Sequence, residues 1–397
     1  MKIIAVSLVG SVGCMSSSTS PSRSDIQMND LSVLLPLPRT QAELDAQLTP
    51  SSPAVGGQLL PASIFNMAST RLEFTTLHAV AFRFDPCFGA LGAITDDASC
   101  HNQLRIVFQL IDVDDRFDST IVDDSAVHAF YEISRDDLLA AVDELVAARK
   151  AEGGDRDLGP LAPHPLIAQE GLDGPLAQAF AKTITKYAGQ DKLVRMTEFD
   201  FASWASGPTT SGTTTWNFSQ FRVDHGTVTN MDIPTLSTTG MSQDGNSMAL
   251  EASTGPLEAS SSPGTTSPDD LALLASFMKA NQASASDRQG AFGAALRVLN
   301  PHDNSPDTID CASCHLAQPA AELVGGQLGM TAAGNPDAFV PDPSIPMADL
   351  AETTSPVSPD QVLNIHAFSY RLQEPPMINR RVINETAANL AYLKHVR

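Results

Sequence analysis

The strongest constraint on the fold is a change of hydrophobic period partway along the chain. Up to about residue 250 most apolar residues fall in β-branched and aromatic runs, whereas beyond residue 267 they recur at helical spacing. The interval between, in "EASTGPLEASSSPGTTSPDD", is rich in Ser, Thr, Gly and Pro and reads as a linker over 251–267. A chain of 397 residues that is 42% hydrophobic is long enough for more than one core, so two folded parts are expected.

Upstream, "TLHAVAFRFDPCF", "NQLRIVFQLIDVD" and "SAVHAFYEIS" partly alternate and read as strands. "SRDDLLAAVDELVAARKAEGG" switches to helical period, with Ser134 as N-cap, Asp137 three residues on, Leu138, Val142 and Val146 on one face, and Gly153 at the end. A second helix is expected in "GPLAQAFAKTITKYAG", after which "VRMTEFDFASWA" and "TTTWNFSQFRVDHGTVTNMDI" return to strand patterns. Helices inserted among strands, without a βαβ rhythm or a Gly-rich phosphate loop, predict an α+β domain over 60–250. Its acidic cluster, Asp112, Asp114, Asp115, Asp118, Asp123 and Asp124, lacks the Gly and terminal Glu of an EF-hand and reads as a solvated loop. No nucleophile elbow, Walker loop or zinc-protease helix is present, so no chemistry is assigned to this domain.

Downstream, Ser267 can cap a helix carrying Leu271, Leu274 and Met278. A second helix from about Gln289 places Phe292, Ala295, Leu296 and Leu299 on one face before Pro301. Both lead to "DCASCHLAQ", which holds Cys311, Cys314 and His315. In C-x-x-C-H two thiols can add to the two vinyl groups of a haem while the adjacent imidazole reaches the iron, so one turn of chain supplies attachment and proximal ligation. The competing readings are a zinc half-site, which needs two more ligands at suitable spacing, and a redox disulfide, which needs a βαβ setting.

The N-terminus "MKIIAVSLVGSVGCMSSSTSPSRSD" has one Lys and an apolar run too short to span a bilayer, as in an export signal over 1–14. With Gly13 before Cys14 it resembles a bacterial lipobox, with Ser11 where Leu is usual. The resemblance implies lipidation of Cys14; an ordinary cleaved signal is the alternative. Residues 15–59 are read as a flexible tether, on the polar low-complexity character of 15–30. Export favours paired thiols, so Cys87 and Cys100 are expected to form a disulfide; a metal site with His101 is the alternative. The net charge of −22 disfavours nucleic acid and anionic lipid, and suits a redox partner with a basic docking face.

Residues 286–397 resemble a class I c-type cytochrome domain: a helix before the motif, Cys311, Cys314 and His315, a loop-rich middle, a Met in a Pro-rich turn, and a closing helix in "INRRVINETAANLAYLKHVR". The resemblance implies a mainly α domain over 268–397 with one covalent haem c, and a crossing of the first and last helices in which Phe292 and Tyr392 pack. Met377 in "QEPPMINRR" has the place of the family's distal ligand; His366, Met347, Met330, His302 and an open position are alternatives. Arg380 and Arg381 are candidates to pair with haem propionates, or else exposed cations at a helix start. The expected function is electron transfer at the cell envelope by a periplasmic or outer-membrane lipoprotein. The alternatives are a haem enzyme or sensor with an open distal site, of peroxidase type, and an envelope binding protein with accessory haem.

Overall fold

The computed structural model describes residues 25–66, 76–88, 101–114, 119–204, 213–233, 247–253, 259–262, 283–306, 308–356 and 364–396. In chain order the elements begin α1 (Met28–Leu31), β1 (Ser32–Leu34), α2 (Gln41–Ala46), the short hairpin β2 (Pro53–Ala54) and β3 (Gly57–Gln58), β4 (Leu77–Phe88) and β5 (His101–Asp114). They continue with β6 (Ser119–Val122), β7 (Ala126–Glu132), α3 (Arg135–Gly153), α4 (Pro165–Glu170) and α5 (Pro175–Tyr187). Next are β8 (Leu193–Trp204), β9 (Thr213–Asp224), β10 (Thr227–Asn230), β11 (Ser247–Ser253) and β12 (Ala259–Ser262). The chain closes with α6 (Ala285–Leu299), α7 (Cys311–Leu328), the hairpin β13 (Phe368–Ser369) and β14 (Met377–Ile378), and α8 (Arg380–Val396).

The fold is α+β, a sheet-rich part followed by helices. One antiparallel sheet runs in the order β1-β4-β5-β7-β8-β9-β11-β12, with β6 paired to β5 and β10 to β9. Local signals act as expected at several ends. Ser134 Oγ accepts the Asp137 N–H and starts α3, and Ser284 Oγ accepts the Asp287 N–H at 3.1 Å, starting α6 earlier than Gln289.

Two expectations are corrected. From residue 25 the chain is not a tether: Ile26, Met28, Leu31, Val33 and Leu34 are buried and β1 pairs with β4 as an edge strand. The apolar run after Asp30 gains more from burial than the polar stretch before it could. The linker range 251–267 contains the end of β11 and all of β12, so its described residues extend the sheet. Ser and Ala at an edge satisfy backbone groups through the ladder. The signal 1–14, Cys14 and the helix after Ser267 lie outside the described residues. Among the described residues one hydrophobic cluster extends from Ile26 through the strands to Leu393.

Both faces of the central strands are buried. Phe82, Phe84, Leu104, Ile106, Phe108, Val127, Ala129, Tyr131 and Met196 supply one face, while α3 packs on β4, β5 and α5. The other face is set by register. Arg83, Arg105, Phe130 and Arg195 form one cross-strand row; Val107, His128, Thr197 and Gln220 the next; Ala126, Phe199 and Phe218 a third. Arg83, Arg105, Arg195 and Gln220 are 3, 7, 5 and 2% exposed, so this polar face does not meet solvent.

His164 is fully buried at the start of α4, where its Nδ1 accepts the Ile167 N–H and its ring meets the edge of Phe180. Burial, reinforced by nearby Arg149, pushes its pKa down to about 4. The unfolded chain therefore binds a proton near pH 6.5 that the folded chain refuses, and stability should be full above that pH and fall as pH drops toward 4. The fall due to His164 is at most about 3 kcal/mol. Urea unfolding of His164→Gln against the parent between pH 7 and 4 should show a flatter pH dependence in the variant.

Candidate functional site

The polar sheet face is covered by α7, α8 and the segment around β13. On α8, Glu385, Thr386 and Asn389 point at β1 and β4. Arg83 donates to Glu385 Oε2 at 2.8 Å, Thr386 and Ser32 share a hydroxyl bond at 2.7 Å, and Asn389 Nδ2 donates to Asp85 Oδ1 at 3.0 Å. Asp85 also accepts from Arg105 at 2.7 Å. Arg381 donates to Glu385 Oε1 at 2.7 Å and to the carbonyls of Val298 and Asn304, tying α8 to the end of α6. Arg105 and Arg195 stack on the two sides of Phe130, with guanidinium carbons 4.9 and 4.2 Å from the ring centre.

The first turn of α7 faces this surface. Asp310 caps it, accepting the Ser313 N–H at 2.7 Å. Cys311, Cys314 and His315 follow at i, i+3 and i+4, which places them on one side of the helix. All three line a cavity whose far wall is the sheet rows just described, with Asn379, Arg381, Val382 and Glu385 at its edge. About 870 Å³ there is unfilled by protein, part of it open to solvent. Both thiols are free. Burial raises the pKa of each, Cys314 to about 11, so they remain protonated rather than forming a reactive thiolate pair.

His315 Nδ1 donates to the carbonyl of Ile365, which fixes the tautomer with its lone pair on Nε2. The ring lies 5.5 Å from Phe199 and 5.3 Å from Phe218, and burial pushes its pKa down to about 4. A neutral imidazole with one nitrogen held by a backbone carbonyl is the arrangement of a metal-ligating histidine. Among the described residues no group of three or more His, Cys, Asp or Glu side chains converges to hold a metal ion by itself.

The expected distal groups are elsewhere. Met377 is buried in β14 beside Thr354, which donates to its sulfur at 3.8 Å, and does not line the cavity. His366 has both ring nitrogens occupied, one by Ser369 Oγ at 2.8 Å and one by Asp124 Oδ1 at 2.9 Å. Met330 and Met347 line a second cavity beyond Phe292 and Ala321, and His302 is exposed against Phe339. Arg380 lines that second cavity as well, bonded to Glu352, while Arg381 does reach the first. The solvated reading of the acidic loop holds for Asp112 and Asp123 but not for Asp124. Burial raises the Asp124 pKa, but the bonds from His366 and Arg371 outweigh it and hold the carboxyl below its ordinary range.

Sequence reasoning missed Arg83, Arg105, Arg195 and His128. Burial, followed by the proximity of His315, Arg105 and Arg83, holds His128 well below the usual imidazole range. Cys87 is buried in β4 and disulfide-bonded, and its expected partner Cys100 lies outside the described residues. Phe292 and Tyr392 are both buried. Phe292 packs so closely on α7 that a Cβ at Gly325 would lie 2.7 Å from its ring. Among the described residues no helix is long and apolar enough to cross a membrane. Comparison with family models, curated proteins and solved structures found no match.

Replacing Glu385 by Gln would leave Arg83 and Arg381 buried without their shared carboxylate, at an expected cost of about 3–5 kcal/mol. Asp112→Asn, at an exposed position of β5, should change stability by less than about 0.5 kcal/mol. Urea unfolding of the two variants beside the parent measures both.

Proposed function

We propose that this chain is an exported c-type haem protein that carries one covalent haem and moves single electrons at the cell envelope. The observation that carries the reading is the set of Cys311, Cys314 and His315 on one side of the first turn of α7, facing a cavity, with His315 Nδ1 committed to the Ile365 carbonyl. The two thiols are spaced for thioether attachment and Nε2 is the nitrogen left to bind iron. A bound haem supplies the one-electron iron couple, which a peptide chain lacks.

The remaining residues suit that group. Val107, Phe199, Phe218 and Val382 give apolar walls, and Arg83, Arg105, Arg195 and Arg381 give cations where propionates need partners. The thiols are reduced and unpaired, as attachment requires. On this reading helices α6, α7 and α8 would be the cytochrome-like part; α6 packs on both α7 and α8. An export signal ending near Cys14 and a Cys87–Cys100 disulfide belong to the same reading, since covalent haem attachment takes place outside the cytoplasm. The charge of −22 favours a partner with a basic face.

Production of the full chain in a host with c-type maturation tests this. The expected result is one haem per chain that survives denaturation, seen by mass and by a haem-stained denaturing gel, and lost in the Cys311→Ser, Cys314→Ser double variant. A parent protein that matures without covalent haem overturns the reading.

A further inference from the structure

We infer that His128, on the sheet strand β7, is the second axial ligand of the iron, so that the haem is held between a helix imidazole and a sheet imidazole. This rests on the haem reading above. An iron bound by His315 would have its remaining position toward the opposite wall, and that wall is the sheet. His128 is at its centre: Val107 and Thr197 are its cross-strand neighbours, and Ala126 and Phe130 flank it along β7 on the same face. Strand alternation directs all five side chains to the cavity, and the small Ala126 leaves room beside the ring.

Chemistry selects it from the cavity lining. That lining has no Met, Lys or Tyr, and its imidazoles are those of His128 and His315. Cys311 and Cys314 are used in attachment. Of the lining carboxylates, Glu385 is shared by Arg83 and Arg381, Asp310 is engaged in capping α7, and Glu198 is engaged by a partner of its own. His315, His366 and His164 each commit a ring nitrogen to a protein partner. The His128 ring makes no hydrogen bond or ion pair among the described residues, and it is half-buried because it opens on the cavity. A half-buried ring that opens on the cavity and has no protein partner is free to bind a group placed there.

The test uses the full-length haem-loaded protein and reads ferric visible and EPR spectra, which report ligation independently of any activity. The parent should be six-coordinate and low-spin with a bis-imidazole signature, and its ferrous form should not bind carbon monoxide readily. His128→Ala should become high-spin and bind carbon monoxide, and added imidazole should restore the low-spin spectrum. His128→Met keeps a ligand of similar length, and should shift the spectrum to a Met/His type with a higher reduction potential. If His128→Ala does not accumulate, His128→Met decides on the same spectra. A parent with attached haem that is high-spin, or variants whose spectra match a low-spin parent, overturns the His128 assignment and leaves the haem reading standing. A parent without covalent haem overturns both.

Discussion

The buried carboxylate of Glu385, shared between Arg83 on the sheet and Arg381 on its own helix, is the interaction on which the arrangement depends. Its neighbours extend it: Asp85 joins Arg105 and Asn389, and Ser32 joins Thr386. The last helix is amphipathic in sequence, yet every residue from Arg381 to Leu390 is buried. Its polar side is buried against an equally polar side of the sheet. Desolvating so many charges is costly, and attraction compensates only when each has its partner in good geometry. The seam therefore contributes less to net stability than to specificity, because a displaced α8 would leave charges buried and unpaired.

The same seam creates the cavity. At one edge α8 holds β1 and β4. At the other, Gln109 in the sheet donates to the Tyr370 carbonyl and accepts its N–H, while Asp124 binds His366 and Arg371. The segment 364–371 is thus fixed to the sheet at two points, and the Ile365 carbonyl that orients His315 belongs to it. Orientation of the motif imidazole is therefore inherited from the strands, through residues far from Cys311 in sequence. Between the two edges His315 of α7 reaches Phe199 and Phe218 on the strands, and beside it the cavity lies between α7, α8 and the sheet.

Much of the local structure was legible before any coordinates. Ser134 marks a real N-cap, Arg380–Val396 within "INRRVINETAANLAYLKHVR" is a helix, and Cys311, Cys314 and His315 do share a surface. What the sequence hid is which polar residues meet water. In "FRFD" and "LRIVF" alternation correctly separates two faces, but period two is the same whether the second face meets solvent or a distant helix. Arg83 finds Glu385 across 302 positions, beyond any local pattern. His128 in "SAVHAFYEIS" looked like an ordinary strand residue for the same reason. Met377 and Arg380 had the expected sequence position relative to the motif, yet the loop-rich middle turns both away from the cavity. The first strand was missed because the polar composition of 15–30 was extended over "LSVLLPLP", whose apolar run is itself a burial signal.

The fold changes what the N-terminal part is for. Read from sequence it is a separate α+β domain with no assigned chemistry; in space its strands are the wall opposite the motif, and the described residues of both parts share one hydrophobic cluster. On the haem reading, the residues that tune the iron belong mainly to the sheet. Arg83, Arg105 and Arg195 surround the cavity with cationic charge, and Asp85 and Glu385 neutralise part of it at short range. A buried anionic group stabilises the oxidised, more positive iron and a buried cation the reduced one, and the low dielectric magnifies both. Shifting one pair in the seam would therefore act on the reduction potential and on the helix–sheet contact together. If the site carries haem, that coupling would give a physical reason to place it at the junction of two secondary-structure types rather than within a small helical bundle.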